Sequence, residues 1–149
     1  MEKTCFLFGH RNAPSCLTTA IEDAASQLYL HHGVRDFIVG SRGDFDSMAA
    51  AALKQLKKEY PDIRLQLLIA YHPAEHPVHL VPGFDSTFYP PLETVPRQYA
   101  IVKANQYMVK NCDMVICYVW HTASNTQKLL AQALRRKIAV INLSEEIKP

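Results

Sequence analysis

Asp36-Phe37-Ile38-Val39-Gly40-Ser41-Arg42-Gly43-Asp44-Phe45-Asp46 decides how the rest of the chain is read. Its first four residues are mostly apolar, as in a short strand covered on both faces. Gly40 and Gly43, three residues apart, let the backbone turn tightly and approach a ligand closely. Met48, Ala49, Ala52, Leu53 and Leu56 then recur at helical spacing, with Asp46 or Ser47 as the expected cap. Lys54, Lys57 and Lys58 stand toward the end of that helix, where its dipole favours cations.

The same alternation runs outward in both directions. Apolar runs at 4–8, 36–39, 64–70, 114–119 and 138–142 read as strands. Between them lie helical patterns: 15–32, with Leu17, Ile21, Ala24, Ala25, Leu28 and Leu30 stopping at Gly33; 96–111, opened by Pro96; and 125–136, with Leu129, Leu130, Ala133 and Leu134 as its buried stripe. Strand and helix in turn are the signature of βαβ units. The expected fold is a single Rossmann-like α/β domain over 1–149, an open parallel sheet of about five strands with helices on both faces. Residues 71–95 break the rhythm: proline- and aromatic-rich, aperiodic and longer than an ordinary connection, they read as a lid or a subunit contact.

Composition narrows the function classes. The chain has 149 residues, of which 48% are hydrophobic and 20% charged, so it is expected to fold throughout. Sixteen basic residues against 14 acidic ones give a formal charge of +2, which argues against nucleic acid as a partner and makes any anion site local. Cys5, Cys16, Cys112 and Cys117 lack CxxC spacing and read as reduced and structural. With no basic-plus-apolar leader and no run of membrane-spanning length, a cytoplasmic location without membrane partners is expected.

In an open parallel sheet, ligands bind outside the carboxyl ends of the strands, where loops diverge and helix N-termini aim unpaired N–H groups at the crevice. Three segments of polar character fall there. After the first strand, Gly9 offers close approach, while His10 and Arg11 either bracket an anion or, for the histidine, hydrogen-bond a neighbouring loop. After the second, Gly40, Ser41, Arg42, Gly43, Asp44 and Asp46 form a ligand-facing turn. Its carboxylates accept from ribose hydroxyls or a base, or cap the helix, and its arginine pairs with phosphate or is solvated. After the fourth, His121 is followed by Thr122, Ser124, Asn125 and Thr126 at a helix start, suited to a phosphate or to plain capping. His72, His76 and His79 invite a metal reading, but Pro73 and Pro77 break the helix that would align them, so no metal is expected.

These three loops, with Phe6-Leu7-Phe8-Gly9-His10-Arg11 at the opening strand and Val39-Gly40-Ser41-Arg42-Gly43-Asp44-Phe45-Asp46 as a Gly-x-Arg-Gly-x-Asp segment, resemble the SLOG superfamily. That Rossmann-like group includes the DNA-processing protein of natural transformation and the Lonely Guy phosphoribohydrolases. The likeness covers nearly the whole chain and is nearest to small bacterial and phage-type members. Lys103-Ala104-Asn105-Gln106-Tyr107-Met108, followed by Cys112-Asp113-Met114-Val115-Ile116, is similar to the family's helix and strand before the phosphate loop, which implies that Asn105 faces the site. The chain departs from the hydrolase branch at that loop. Where Pro-Gly-Gly-x-Gly-Thr and a following glutamate would stand, residues 121–126 contain no glycine, Thr126 matches the threonine, and Gln127 and Lys128 follow. Without the glycines the backbone cannot wrap a phosphate in the same way.

The resemblance implies binding of a nucleotide or nucleotide-derived signal ligand at the sheet edge, by a sensor or sequestering protein. The alternative is a hydrolase or transferase of an N-glycosidic bond, for which Asp44, Asp46, Asp85 and Glu93 are the candidate carboxylates. No cofactor is expected, and self-association into a homo-oligomer is.

Overall fold

The computed structural model describes residues 3–121 and 124–147. In chain order they form β1 (Lys3–Gly9), α1 (Leu17–His32), β2 (Val34–Val39), α2 (Asp44–Glu59), β3 (Arg64–Leu68), β4 (Ser86–Phe88), α3 (Ala100–Asn111), β5 (Met114–Tyr118), α4 (Asn125–Arg136) and β6 (Ala139–Asn142). A short 3-10 turn, Arg97–Tyr99, leads into α3, and another, Leu143–Glu145, follows β6.

All six strands are parallel, in the order β4-β3-β2-β1-β5-β6. The α/β architecture read from the sequence is the one observed, with one strand more than expected. That strand, β4, lies within the segment 71–95 and extends the sheet by pairing Ser86, Thr87 and Phe88 with Gln66, Leu67 and Leu68. No alternating pattern announces it, because only three residues pair and one face of an edge strand has little to bury.

Period-2 alternation along the central strands sorts their side chains to two cores. Cys5 and Leu7 of β1 pack with α1 and α2, while Phe6 and Phe8 pack with α3 and α4. The α1–α2 core is sealed: Leu17, Ile21, Phe37, Phe45, Leu53 and Leu65 are fully buried within it. Two expected stripes need correction at their ends. Leu30 of α1 is 52% exposed and Leu134 of α4 is 57% exposed, because Leu30 follows buried Leu28 by two residues and Leu134 follows buried Ala133 by one, rotations of about 200° and 100° that carry both off the buried face. The second helix also starts earlier than expected, at Asp44 with Gly43 in the cap position, so neither Asp46 nor Ser47 is its cap.

Candidate functional site

The strand order reverses direction between β1 and β5: β2, β3 and β4 follow to one side of β1, while β5 and β6 lie to the other. Connections from the two neighbours therefore leave in opposite directions and open a crevice at their carboxyl ends. Residues 9–12, 120–121 and 124–126 border that crevice, a cavity of about 370 Å³ lined by Gly9, His10, Arg11, Trp120, His121, Ser124 and Thr126 among others.

Its rigid floor is His10, which is 6% exposed. The ring's Nε2 accepts a hydrogen bond from the backbone N–H of Trp120 at 3.0 Å, and its Nδ1 lies 2.9 Å from Thr126 Oγ1. A neutral imidazole that accepts at Nε2 carries its proton on Nδ1, so the ring donates to Thr126. The Thr126 and Ser124 hydroxyls share a hydrogen bond at 2.9 Å, and Ser124 Oγ also accepts from the Gln127 backbone N–H at 3.1 Å. Two hydroxyl protons serve one bond between them, so one is left to donate from Ser124 or Thr126, both of which line the crevice. The first-turn N–H groups of Asn125 and Thr126 stand beside them and have no acceptor within the helix. Burial, and then the His121 ring stacked 3.9 Å from it, hold the His10 imidazole below its ordinary pKa and favour this neutral form.

A narrower cavity of about 60 Å³ opens beside the crevice and shares Gly9 and Thr126 with it. Gly40, Ser41, Arg42, Asp46 and Asn105 complete its polar lining. Asp46 Oδ2 accepts from the Arg42 backbone N–H at 2.9 Å, and burial pushes the carboxyl's pKa up against the opposing effect of Arg42. A half-buried carboxylate with one oxygen committed is an acceptor for a hydroxyl or amino group of a ligand.

The glycines have a tighter task than approach to a ligand. A Cβ on Gly9 would meet the Phe45 ring at 2.5 Å, and one on Gly43, whose φ is 150°, would meet Arg11 Cα at 2.7 Å. With the Asp44 N–H donating to the Arg11 carbonyl at 2.8 Å, these contacts tie the first loop to the second.

The structure thus brings Gly9, His10, Arg11, Gly40, Ser41, Arg42, Asp46, Asn105, Ser124, Asn125 and Thr126 to the two joined cavities. Gly43 and Asp44 border neither; they hold the second loop against the first. Thr122 lies outside the described residues. Ser124 does cap α4, as the plain reading of that segment has it, and faces the crevice as well. The segment 71–95 lines neither cavity. Its His72, Tyr71 and Tyr89 border a separate one of about 410 Å³ beyond β3. Of the candidate carboxylates, Asp85 is committed to Lys57 and to the Leu65 N–H, and Glu93 borders that separate cavity, which leaves Asp46 alone at the strand-end site among the described residues.

Sequence reasoning missed Trp120, 48% exposed beside the His10 and His121 rings, and the pair Asn142 and Ser144. The Asn142 side chain bonds both the N–H and the carbonyl of Val119, and the Ser144 hydroxyl donates to the same carbonyl at 2.7 Å, fixing the exit of β5. A tryptophan just past a strand is a signal available in the sequence; the Asn142 contact spans two strands and is not.

No family model matches the chain, and no curated protein does. Solved structures do. DNA processing protein A from Streptococcus pneumoniae matches at a TM-score of 0.65 and 16% identity, over 93% of this chain and 49% of that one. DNA processing protein A from Helicobacter pylori, whose structure concerns a single-stranded DNA binding mode, matches at a TM-score of 0.59 and 14% identity, over 93% of this chain and 63% of that one. The fold is Rossmann-like. The chain spans about half to two thirds of the length of these neighbours.

One expectation is corrected by this finding. Near-neutral net charge does not argue against nucleic acid, since a neighbour of this fold binds single-stranded DNA. Recognition of a polyanion depends on local charge, and the +2 total averages over unlike surfaces. Helices α3 and α4 carry Lys103, Lys110, Lys128, Arg135 and Arg136 and no acidic residue, whereas α1 and α2 carry Glu22, Asp23, Asp44, Asp46 and Glu59 against three lysines. Among the described residues, no helix is long and apolar enough to cross a membrane.

Proposed function

We propose that this chain is a SLOG-type Rossmann-like protein that binds a nucleotide or nucleotide-derived ligand at the β1/β5 crevice. The observation that carries this reading is the convergence there of a hydroxyl donor, free helix N–H groups and Arg11 on one side with Asp46 and Asn105 on the other. Donors at one end suit a phosphate, and an acceptor in the adjoining cavity suits a ribose hydroxyl or base amino group. A second reading, in which the nucleotide is one unit of a single strand, is favoured by the Helicobacter neighbour and by the acid-free α3 and α4.

The test is a thermal-shift panel of nucleoside monophosphates, NAD, cyclic nucleotides and oligothymidylate, with mass spectrometry of the recovered ligand. A stabilising ligand returned intact is the expected result. Arg42→Ala and Thr126→Ala should each weaken its binding by about tenfold, the scale of one lost charge-assisted or buried hydrogen bond. Affinity unchanged in both variants would move the site elsewhere, and strong salt-dependent retention of oligothymidylate alone would select the single-strand reading.

A further inference from the structure

The surface formed by α3 and α4 is unlike the rest of the molecule in three ways. Its helices carry cations and no acid, whereas α1 and α2 between them carry both. Arg136 caps the end of α3 by donating to the Val109 and Cys112 carbonyls. Lys103, Lys110, Lys128 and Arg135 make no ion pair among the described residues and are all exposed.

The helices also leave a trough. Two cavities of about 440 and 510 Å³ meet where the Gln132 side chain donates to the Gln106 carbonyl at 3.2 Å, and both are bordered by Arg135. The floor of the smaller is aliphatic, built from Ile101, Leu129 and Ala131, with Val102 at its edge 40% exposed. No aromatic ring lines it, and the larger has one, that of half-buried Tyr107.

Third, the charges are periodic. Lys103 and Lys110 on α3 stand seven residues apart, and so do Lys128 and Arg135 on α4. At 1.5 Å per residue that interval is about 10.5 Å, two helical turns, and the same interval separates equivalent positions on any helix laid alongside.

We propose that the α3–α4 trough is a docking site for an acidic amphipathic helix of a partner protein, with apolar residues toward the aliphatic floor and carboxylates at heptad spacing toward the four cations. Charge complementarity selects an acidic partner, and the matched seven-residue intervals select a helical one. A nucleic acid strand is the competing occupant. It is less well suited because strands of that kind gain much of their affinity by stacking bases on exposed rings, and the trough offers only the half-buried ring of Tyr107.

The proposal is independent of the ligand at the strand ends, and its test can fail by itself. The probe is a synthetic three-heptad peptide with leucine at the a and d positions and glutamate at e and g, followed by fluorescence anisotropy against the whole chain. The control peptide carries lysine at e and g. The acidic peptide should bind and the basic one should not, and the double variant Lys128→Glu/Arg135→Glu should lose at least about tenfold for the former while gaining affinity for the latter. Val102→Asp should weaken the acidic peptide without reversing the charge preference. Acidic-peptide binding that survives the double charge reversal overturns the proposal. So does oligothymidylate that displaces the peptide from the trough and is itself lost in the same double variant, and so does self-association through the trough that the double variant abolishes while peptide binding is absent. Circular dichroism showing an unchanged thermal transition keeps misfolding of the variants out of the comparison.

Discussion

The two faces of the sheet solve the same packing problem to different degrees. On one, α1 and α2 close over Phe37, Phe45 and Leu65 with no exposure, and two nearby cations, Arg35 and Lys57, pair with Asp62 and Asp85. On the other, α3 and α4 bury Phe6, Ile38, Val115 and Cys117 beneath them but stand apart above, leaving a trough edged with unpaired lysine and arginine. Stability needs only the burial nearest the sheet, so a second pair of helices is free to keep an open outer surface. The strand-end crevice lies where the two regimes meet: Phe45 from the sealed side supports Gly9 at its floor, and Thr126 at the start of α4 closes its network.

That contrast can be broken first at Phe45. Phe45→Ala removes a fully buried ring from the sealed core and should cost about 3–5 kcal/mol in urea unfolding, with collapse of the crevice floor. A loss under about 1 kcal/mol would mean that the α1–α2 side is no tighter than the other.

Acidity offers a sharper probe of the junction between the faces. His10 is held below its ordinary pKa of 6.5 by burial and by His121, so the unfolded chain binds its proton first as pH falls. Stability from this group is fully present above 6.5 and is lost as pH falls through the lower folded value. The charged ring must also give up the Trp120 N–H, since both nitrogens become donors. Urea titrations between about pH 7 and pH 5 should show this slope, and His10→Asn should reduce it. An identical slope in the variant would assign it to another group.

The smallest effect belongs to the open face. Lys103→Ala with Lys110→Ala should alter unfolding free energy by less than about 0.5 kcal/mol, because neither side chain has an ion-pair partner among the described residues. Asp85→Ala, which removes the partner of Lys57 on α2 and the acceptor of the Leu65 N–H, should cost about 1 kcal/mol. Equal costs would erase the distinction between the faces.

Much of this was legible in the chain itself. Apolar runs of strand length between helical periods are local patterns, and they specified the central five strands, four helices and the edge at which the loops gather. The polar residues at those strand ends were legible for the same reason: βαβ geometry places every strand's carboxyl end on one edge. Strand β4 was not, because its three residues are selected by the exposed edge of β3 rather than by any pattern of their own. Nor was the task of Gly43, read as freedom to approach a ligand and found filled by Arg11 from thirty-two positions away.

The sequence by itself determined that this is an α/β protein with a polar strand-end edge, since period and turn chemistry act between neighbours in the chain. Only the tertiary structure decided that His10 is a buried donor to Thr126, that Asp46 alone of the four carboxylates reaches the site, and that the acid-free helices α3 and α4 pack side by side under a balanced net charge. Those outcomes depend on distances between residues remote in sequence, which the packing of helices on the sheet sets and no local pattern records.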